Sequence, residues 1–258
     1  MAAPRPRSPA AKRPQLGLDE VMAALEAAGS EQTRKTYARH GVTIPMFGVS
    51  FATLKSLYKR IKVDHPLALA LWDSGNFDAR NLAVKVVDPA QLSRAELDRW
   101  SQDPSARMCS SYVAQVAAES PHSPACVEPW LASASEQQQV IGWKLVGRLA
   151  MLNEALDDSW FLAHLQTIER DIHTAPNAIR EAMNLSLIEI GCRNPELRQS
   201  ASAAAQRIGT VQVDHGDTAC KTPDALAYID KAWGHAVAKH AASPAAQERA
   251  RESMRTRC

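Results

Sequence analysis

RKTYARHGVTIPMFGVSFATLKSLYKRIKVDHPLALALWDSGNFDARNLAVKVV, residues Arg34 to Val87, is the stretch that decides the fold. Within Ser50–Lys62, Leu54, Leu57, Tyr58 and Ile61 recur at a helical period. Lys55, Lys59 and Lys62 fall four and three apart, a basic stripe on another face of that helix. Asp64 caps a second helix, with Pro66 in its first turn, where a missing N–H costs little. That helix carries Leu67, Leu69, Ala70, Leu71 and Trp72 and stops at Ser74-Gly75, since glycine takes the closing left-handed conformation freely. Asn76 or Asp78 opens a third, with Ala79, Leu82, Ala83 and Val86 as its apolar stripe. Short helices joined by a tight turn pack antiparallel, and neither buries its apolar face alone. The stretch reads as one unit of a helical repeat.

Working outward, 258 residues at 45% hydrophobic suffice for one large domain or an array of repeats. No apolar run approaches the ~20 residues that cross a bilayer, so a membrane protein is not expected, and MAAPRPRSPAAKRPQ lacks the apolar centre of a signal peptide. Five scattered cysteines, none in a CxxC pair, read as reduced thiols of a cytoplasmic protein. A net charge of +2 does not by itself imply nucleic acid; the clustering of the basic residues must carry that inference.

Residues 1–15, basic and proline-rich without periodicity, read as a disordered arm. Helices are expected over Gly17–Ala28 and Ser30–His40, from Ser93 to about Trp100, from Asp103-Pro104-Ser105 through Ala118, and over His122–Ala132. Capping boxes are read at Ser93–Glu96 and Ser135–Gln138, the second opening a long helix to Leu156. Trp160–Ile172, Ala178–Ile190 and a helix from Asn194 to Ile208 follow, and only Thr210–Val213 has β character. Helix pairs thus recur at about the 40-residue period of HEAT-like units, predicting an all-α solenoid of HEAT-like (armadillo-like) repeats over 16–235. An orthogonal helix bundle is the alternative. Residues 236–258, with Lys239, His240, Arg249, Arg251, Arg255 and Arg257 against Glu248 and Glu252, read as a basic, partly helical tail, either adding nonspecific DNA affinity or simply solvated.

Phe47-Gly48-Val49, Leu54, Leu57, Lys59 and Ile61-Lys62, followed by His65, Leu67-Ala68, Leu71-Trp72, Ser74-Gly75, Ala79-Arg80 and Leu82-Ala83, form a pattern that resembles the AlkD-like family of DNA alkylation repair proteins. The resemblance extends more weakly to about Ile208. It implies a right-handed superhelix whose basic concave face holds double-stranded or damaged DNA. Catalytic members of the family release N3- or N7-alkylated purines by hydrolysing the glycosidic bond, without metal or other cofactor. Such a purine is a cationic leaving group, so a carboxylate near the deoxyribose and tryptophan faces around the lesion supply the stabilisation.

This chain departs from the family at those positions. The register places Arg107 where the first tryptophan belongs, Ser111 where the aspartate belongs and Leu185 near the second tryptophan, while the basic residue of the central helix is kept as Arg148. The resemblance therefore carries the fold and leaves two readings of function. One is a DNA glycosylase with a rearranged site, for which Ser111, Tyr112, Trp143 and Arg148 are the candidate catalytic residues. The other is a noncatalytic member that acts as a scaffold for branched or damaged DNA or for a protein partner. A monomer is expected under either reading.

Lys144 and Arg148 lie four apart, off the leucine stripe, and with Lys55, Lys59, Lys62 and Arg107 make either a phosphate-binding surface or a solvated basic face. Trp72, Trp100, Trp130, Trp143 and Trp160 read as packing anchors between helices, with Trp143 and Tyr112 the ones considered for a lesion-facing cage. The stretch VQVDHGDTACKTPDALAY, Val211–Tyr228, gathers Asp214, His215, Asp217, Cys220 and Lys221 in a short loop. Its ligand types would suit a metal but match no standard spacing, and Cys220 beside Lys221 suits a reactive thiol. Otherwise the loop is a turn, with Asp217 or Thr222 capping the helix that follows.

Overall fold

Side-chain caps set most of the helix starts. In the computed structural model, which describes residues 16–103 and 109–257, Ser30 Oγ accepts the N–H of Thr33, Ser50 Oγ that of Thr53 and Asp64 Oδ1 that of Leu67. Each satisfies an amide that a helix N-terminus leaves unpaired. After α1 (Leu18–Ala27), these caps open α2 (Glu31–Arg39), α3 (Phe51–Ile61) and α4 (His65–Asp73). Asn76 caps α5 (Phe77–Val86), its Oδ1 accepting from Asp78 and Ala79. The capping box at Ser93 and Glu96 is present in both directions and starts α6 (Arg94–Gln102).

Beyond it come α7 (Ser110–Glu119), α8 (Ser123–Leu131), α9 (Glu136–Leu152), α10 (Asp158–Asp171), α11 (Asn177–Gly191) and α12 (Pro195–Ile208). The chain closes with α13 (Ala225–Ala238), α14 (Pro244–Arg249) and α15 (Met254–Arg257). Thr210–Val213 is coil, and no strand occurs among the described residues. The helix start expected at Pro104-Ser105 lies outside the described residues.

Two readings of α9 change. At its start Ser135 Oγ accepts from Gln138 N, but the Gln138 amide reaches Ser101 Oγ at 2.8 Å instead of closing a capping box. At its end α9 stops at Leu152, not Leu156. Asn153 leaves the helical region with ψ 106, and its side-chain oxygen accepts from Ala155 and Leu156, so a turn replaces the last expected helical turn.

Helices α5, α7, α9 and α11 lie side by side in one layer, each backed by the helix before it: α4 on α5, α6 on α7, α8 on α9 and α10 on α11. This is the HEAT-like arrangement, and the face of the layer turned away from the backing helices is its inner face. The buried seam includes Trp72 and Trp100, stacked at 4.2 Å and 9°. Burying an aromatic side chain of this size contributes about 2–3 kcal/mol. Arg80 packs over Trp72, donates to the Trp72 carbonyl and grips Asp103 through both terminal nitrogens at 2.9 and 2.7 Å. The Trp-x-Ser-Gly and Ala-Arg signatures thus form one structural joint between repeats.

Phe47-Gly48-Val49 has a similar role. The fully buried Asp78 carboxylate accepts the backbone N–H groups of all three residues at 2.7, 2.9 and 2.8 Å. Gly48 sits at φ 80, and a Cβ there would come 2.5 Å from Ser30 O and 2.8 Å from Arg34 N, so no larger residue fits. Tyr37 Oη donates to Val49 O at 2.6 Å. Burial, reinforced by Asp78 and Cys109, pushes the Tyr37 phenol up to about 12.

The C-terminal tail carries α14 and α15 and folds back as a strap. The chain turns back at His240 (φ 55), Ala245 N donates to Cys192 O, and α14 and α15 lie against α9, α7, α5 and α3. The basic residues Arg255 and Arg257 pair with carboxylates and backbone carbonyls there, which is why the tail is not free.

Candidate nucleic-acid interface

The central helix α9 carries two cations onto the inner face. Lys144 donates to Ser110 Oγ at 2.6 Å and lies 3.3 Å from Ser111 Oγ. One turn on, the Arg148 side chain is 8% exposed and donates to Glu189 on α11 at 2.6 Å and to Glu248 on α14 at 3.1 Å. Burial disfavours the guanidinium charge, but the two carboxylates outweigh it and hold Arg148 above its ordinary pKa. Burial also pushes the Glu189 carboxyl above the usual range, with Arg148 pulling the other way. Gly147 permits this junction: a Cβ there would overlap Glu189 Oε2 and sit 3.2 Å from Ser186 Cα.

The strap takes up further cations of the same face. Lys85, fully buried, donates to Arg255 O at 2.7 Å and lies 4.8 Å from the Tyr112 ring centre. Lys55 donates to Arg257 O at 2.5 Å. In return Arg255 donates to Val84 O, Lys85 O and Val87 O at 3.0, 2.9 and 3.2 Å and to Glu119 at 2.7 Å. Arg249 reaches Met151 O and Glu154.

Two cavities share Lys144, and the second of them reaches the strap. One, of about 460 Å³, is lined by Arg39, His40, Asn177, Glu181 and His215 among others. The second, of about 340 Å³, has Ser111, Arg148, Leu185, Glu189 and Lys221 in its walls, with Tyr228 of α13 and Met254 of the strap. Tyr228 is 51% exposed.

The structure thus brings Ser111, Lys144, Arg148 and Lys221 to one cavity, as well as Leu185. Lys59 and Lys62 are exposed on and just past α3, and Lys62 ends that helix at φ 67. Arg107 lies outside the described residues. Trp143 does not join the group: it is buried, its ring meets His164 edge-on at 6.1 Å, and it lines a different cleft, between α8, α9, α10 and α11. Tyr112 is engaged with Lys85 rather than facing the cavity as a cage.

In the 209–224 loop, Asp214 exchanges two 2.8 Å hydrogen bonds with Asn177, through its backbone N–H and carbonyl. Its carboxylate accepts from Gly216 N, and His215 Nε2 lies 3.0 Å from Thr222 Oγ1 and Nδ1 4.0 Å from Glu181. Asp217, Cys220 and Lys221 are exposed. The cap of α13 is Asp224, accepting from Ala227 N, rather than Asp217 or Thr222. Among the described residues no three His, Cys, Asp or Glu side chains gather as a metal-holding group.

Sequence reasoning missed Lys85, Glu189 and Tyr228, and it named Glu248 and Arg255 in the tail without their partners. Lys85 had a signal, since it lies three residues past Leu82 beside the buried stripe of α5. The strap residues had none, because their partners are far away in the chain.

Fold and face together define an all-α HEAT-like repeat protein whose inner layer carries buried and half-buried cations. The chain belongs to the family described as DNA alkylation repair enzyme, whose model matches residues 21–229. It is similar to two uncharacterized proteins, Lmo0209 of Listeria monocytogenes and Lin0241 of Listeria innocua, each 26% identical over 222 residues, 83% of this chain and 96% of the relative. It is also similar, at 28% identity and a TM-score of 0.75, to a solved structure covering 88% of this chain and 96% of that one. That protein is described as representing a new family related to the HEAT-like repeat DNA glycosylases with affinity for branched DNA structures. The strap from His240 onward lies past the end of the family match. No helix among the described residues is long and apolar enough to cross a membrane.

Proposed function

We propose that this protein binds branched or damaged DNA through its inner face and does not cleave the glycosidic bond. One observation carries the reading. The cavity at the centre of the face keeps the cations Lys144, Arg148 and Lys221, while Ser111 and Leu185 stand in its wall where the family resemblance places a carboxylate and an indole. Cations that hold phosphates confer affinity without chemistry, and a curved basic face reads the geometry of the backbone rather than its sequence. The affinity of the structural neighbour for branched DNA supports the same reading. The buried free thiols Cys109, Cys126 and Cys192 fit a reducing, cytoplasmic setting.

A second reading has one observation in its favour. Glu189 places a carboxylate in the same cavity, as a rearranged glycosylase would need. Its hydrogen bond to Arg148 opposes that use, because the guanidinium already occupies the charge that a sugar cation would meet.

The test is a mobility-shift titration with a branched and a fully paired DNA over a series of salt concentrations. The proposal expects binding at low salt that weakens steeply as salt rises, and tighter binding to the branched form. No shift with either DNA at low salt would leave the protein-scaffold alternative in its place.

A further inference from the structure

We infer that DNA meets the inner face in the trough formed by the two adjoining cavities, where α9 and α11 face the 209–224 loop, and that this trough takes an unpaired strand leaving a branch point. The inference rests on the DNA-binding reading above and adds where the contact lies and which part of a branched molecule it holds.

The strap decides the location. Lys55 and Lys85, at the α3–α5 end of the inner face, already donate to carbonyls of Arg257 and Arg255. Arg255 anchors the strap there with three backbone carbonyls and Glu119, and it is 7% exposed, so the strap is a fixed part of the face. Nucleic acid laid along that end would have to displace it. On the other side the two cavities of about 460 and 340 Å³ adjoin at Lys144 and are flanked by the exposed cations Arg39 and Lys221. Of the carboxylates in their walls, Glu189 holds Arg148, Glu181 lies 4.0 Å from His215, and Asp214 accepts from Gly216 N.

The shape and lining decide the ligand. A duplex is too stiff and broad to enter cavities of this size, whereas a single strand bends into them and exposes its bases. Leu185, Ile188 and Met254 form an apolar wall, and the half-exposed ring of Tyr228 stands at the same cavity as a stacking surface. Cations that follow a backbone beside an aromatic platform are the combination by which proteins hold single strands without reading sequence.

The experiment compares, by fluorescence anisotropy, a labelled splayed-arm duplex with the same duplex fully paired, for the wild type and for Arg39→Glu, Lys221→Glu, Tyr228→Ala and Lys59→Glu. All four positions are exposed, so the fold tolerates each change. Arg39→Glu and Lys221→Glu are expected to weaken splayed-arm binding about 10-fold and to flatten its salt dependence. Tyr228→Ala is expected to bring splayed-arm affinity down to that of the paired duplex, a loss of about 10-fold. A larger loss from Lys59→Glu than from either trough variant would put the contact on α3 and overturn the inference, as would an arm preference unchanged by Tyr228→Ala. Wild type that binds neither DNA at low salt would instead remove the DNA-binding reading on which the inference rests.

Discussion

Glu248 on the strap lies 3.1 Å from Nη2 of Arg148 on α9, one hundred positions earlier in the chain, and also accepts twice from Arg257 at 2.7 and 2.8 Å. An acid of the strap therefore sits on the central cation of the inner face, as a phosphate oxygen would. Glu248→Gln keeps a hydrogen-bonding side chain and removes the charge. It is expected to tighten DNA binding about 3-fold at low salt, because Arg148 then faces the groove with one carboxylate instead of two. An anisotropy titration checks this; unchanged affinity would mean that DNA stays away from Arg148.

Arg255→Ala tests whether the strap is fixed. It removes a buried guanidinium from Glu119 and three carbonyls, and breaking such a buried pair costs about 3–5 kcal/mol. For a chain of this size that lowers the melting temperature by roughly 10 °C. A melting curve that moved by only a degree or two would show the strap to be loosely held.

Asp78→Asn tests the Phe47-Gly48-Val49 clamp. An amide cannot accept from all three N–H groups that now meet the carboxylate, so at least one buried donor loses its partner. The expected cost is about 3 kcal/mol, read by urea unfolding, with DNA affinity of the folded fraction unchanged.

Tyr37 gives a pH dependence with a definite sign. Its folded pKa is raised to about 12 from 10.0, so the folded chain keeps a proton that the unfolded chain releases. The stability tied to this proton is complete below pH 10 and is lost as pH rises from 10 toward 12, a fall of roughly 3 kcal/mol. Tyr37→Phe is expected to be less stable at neutral pH by about 1–2 kcal/mol, since Val49 O loses its donor. Because the wild type loses more than this difference across the alkaline window, the order should reverse there, with Tyr37→Phe the more stable by about 1 kcal/mol near pH 12. Denaturant midpoints measured from pH 8 to 12 check both parts.

The repeat was legible because it is written locally. Ser30, Ser50, Asp64, Asn76, Ser93 and Asn194 cap the helices that follow them within three residues, and Gly75 at φ 71 stops α4 where its sequence says it should. The interface was legible only in part. Lys144 and Arg148 stood out by their spacing on α9, but whether a cation is free depends on what lies opposite, and Arg255 meets partners 136 to 171 residues away. A run with six basic residues and two acids looks solvated until the fold supplies Glu119 and the carbonyls after α5. Trp143, read both as a packing anchor and as a cage candidate, packs, since a tryptophan on the same helix as two groove cations can still point to the other side of the layer.

The most direct measurement is incubation of the purified protein with alkylated duplex DNA, scoring bound DNA and free 7-methylguanine and 3-methyladenine in the same samples, with Arg148→Ala alongside. DNA retained and no free base released is the predicted result. Free base released by the wild type and abolished by Arg148→Ala would contradict it, and would show a working glycosylase with a rearranged site.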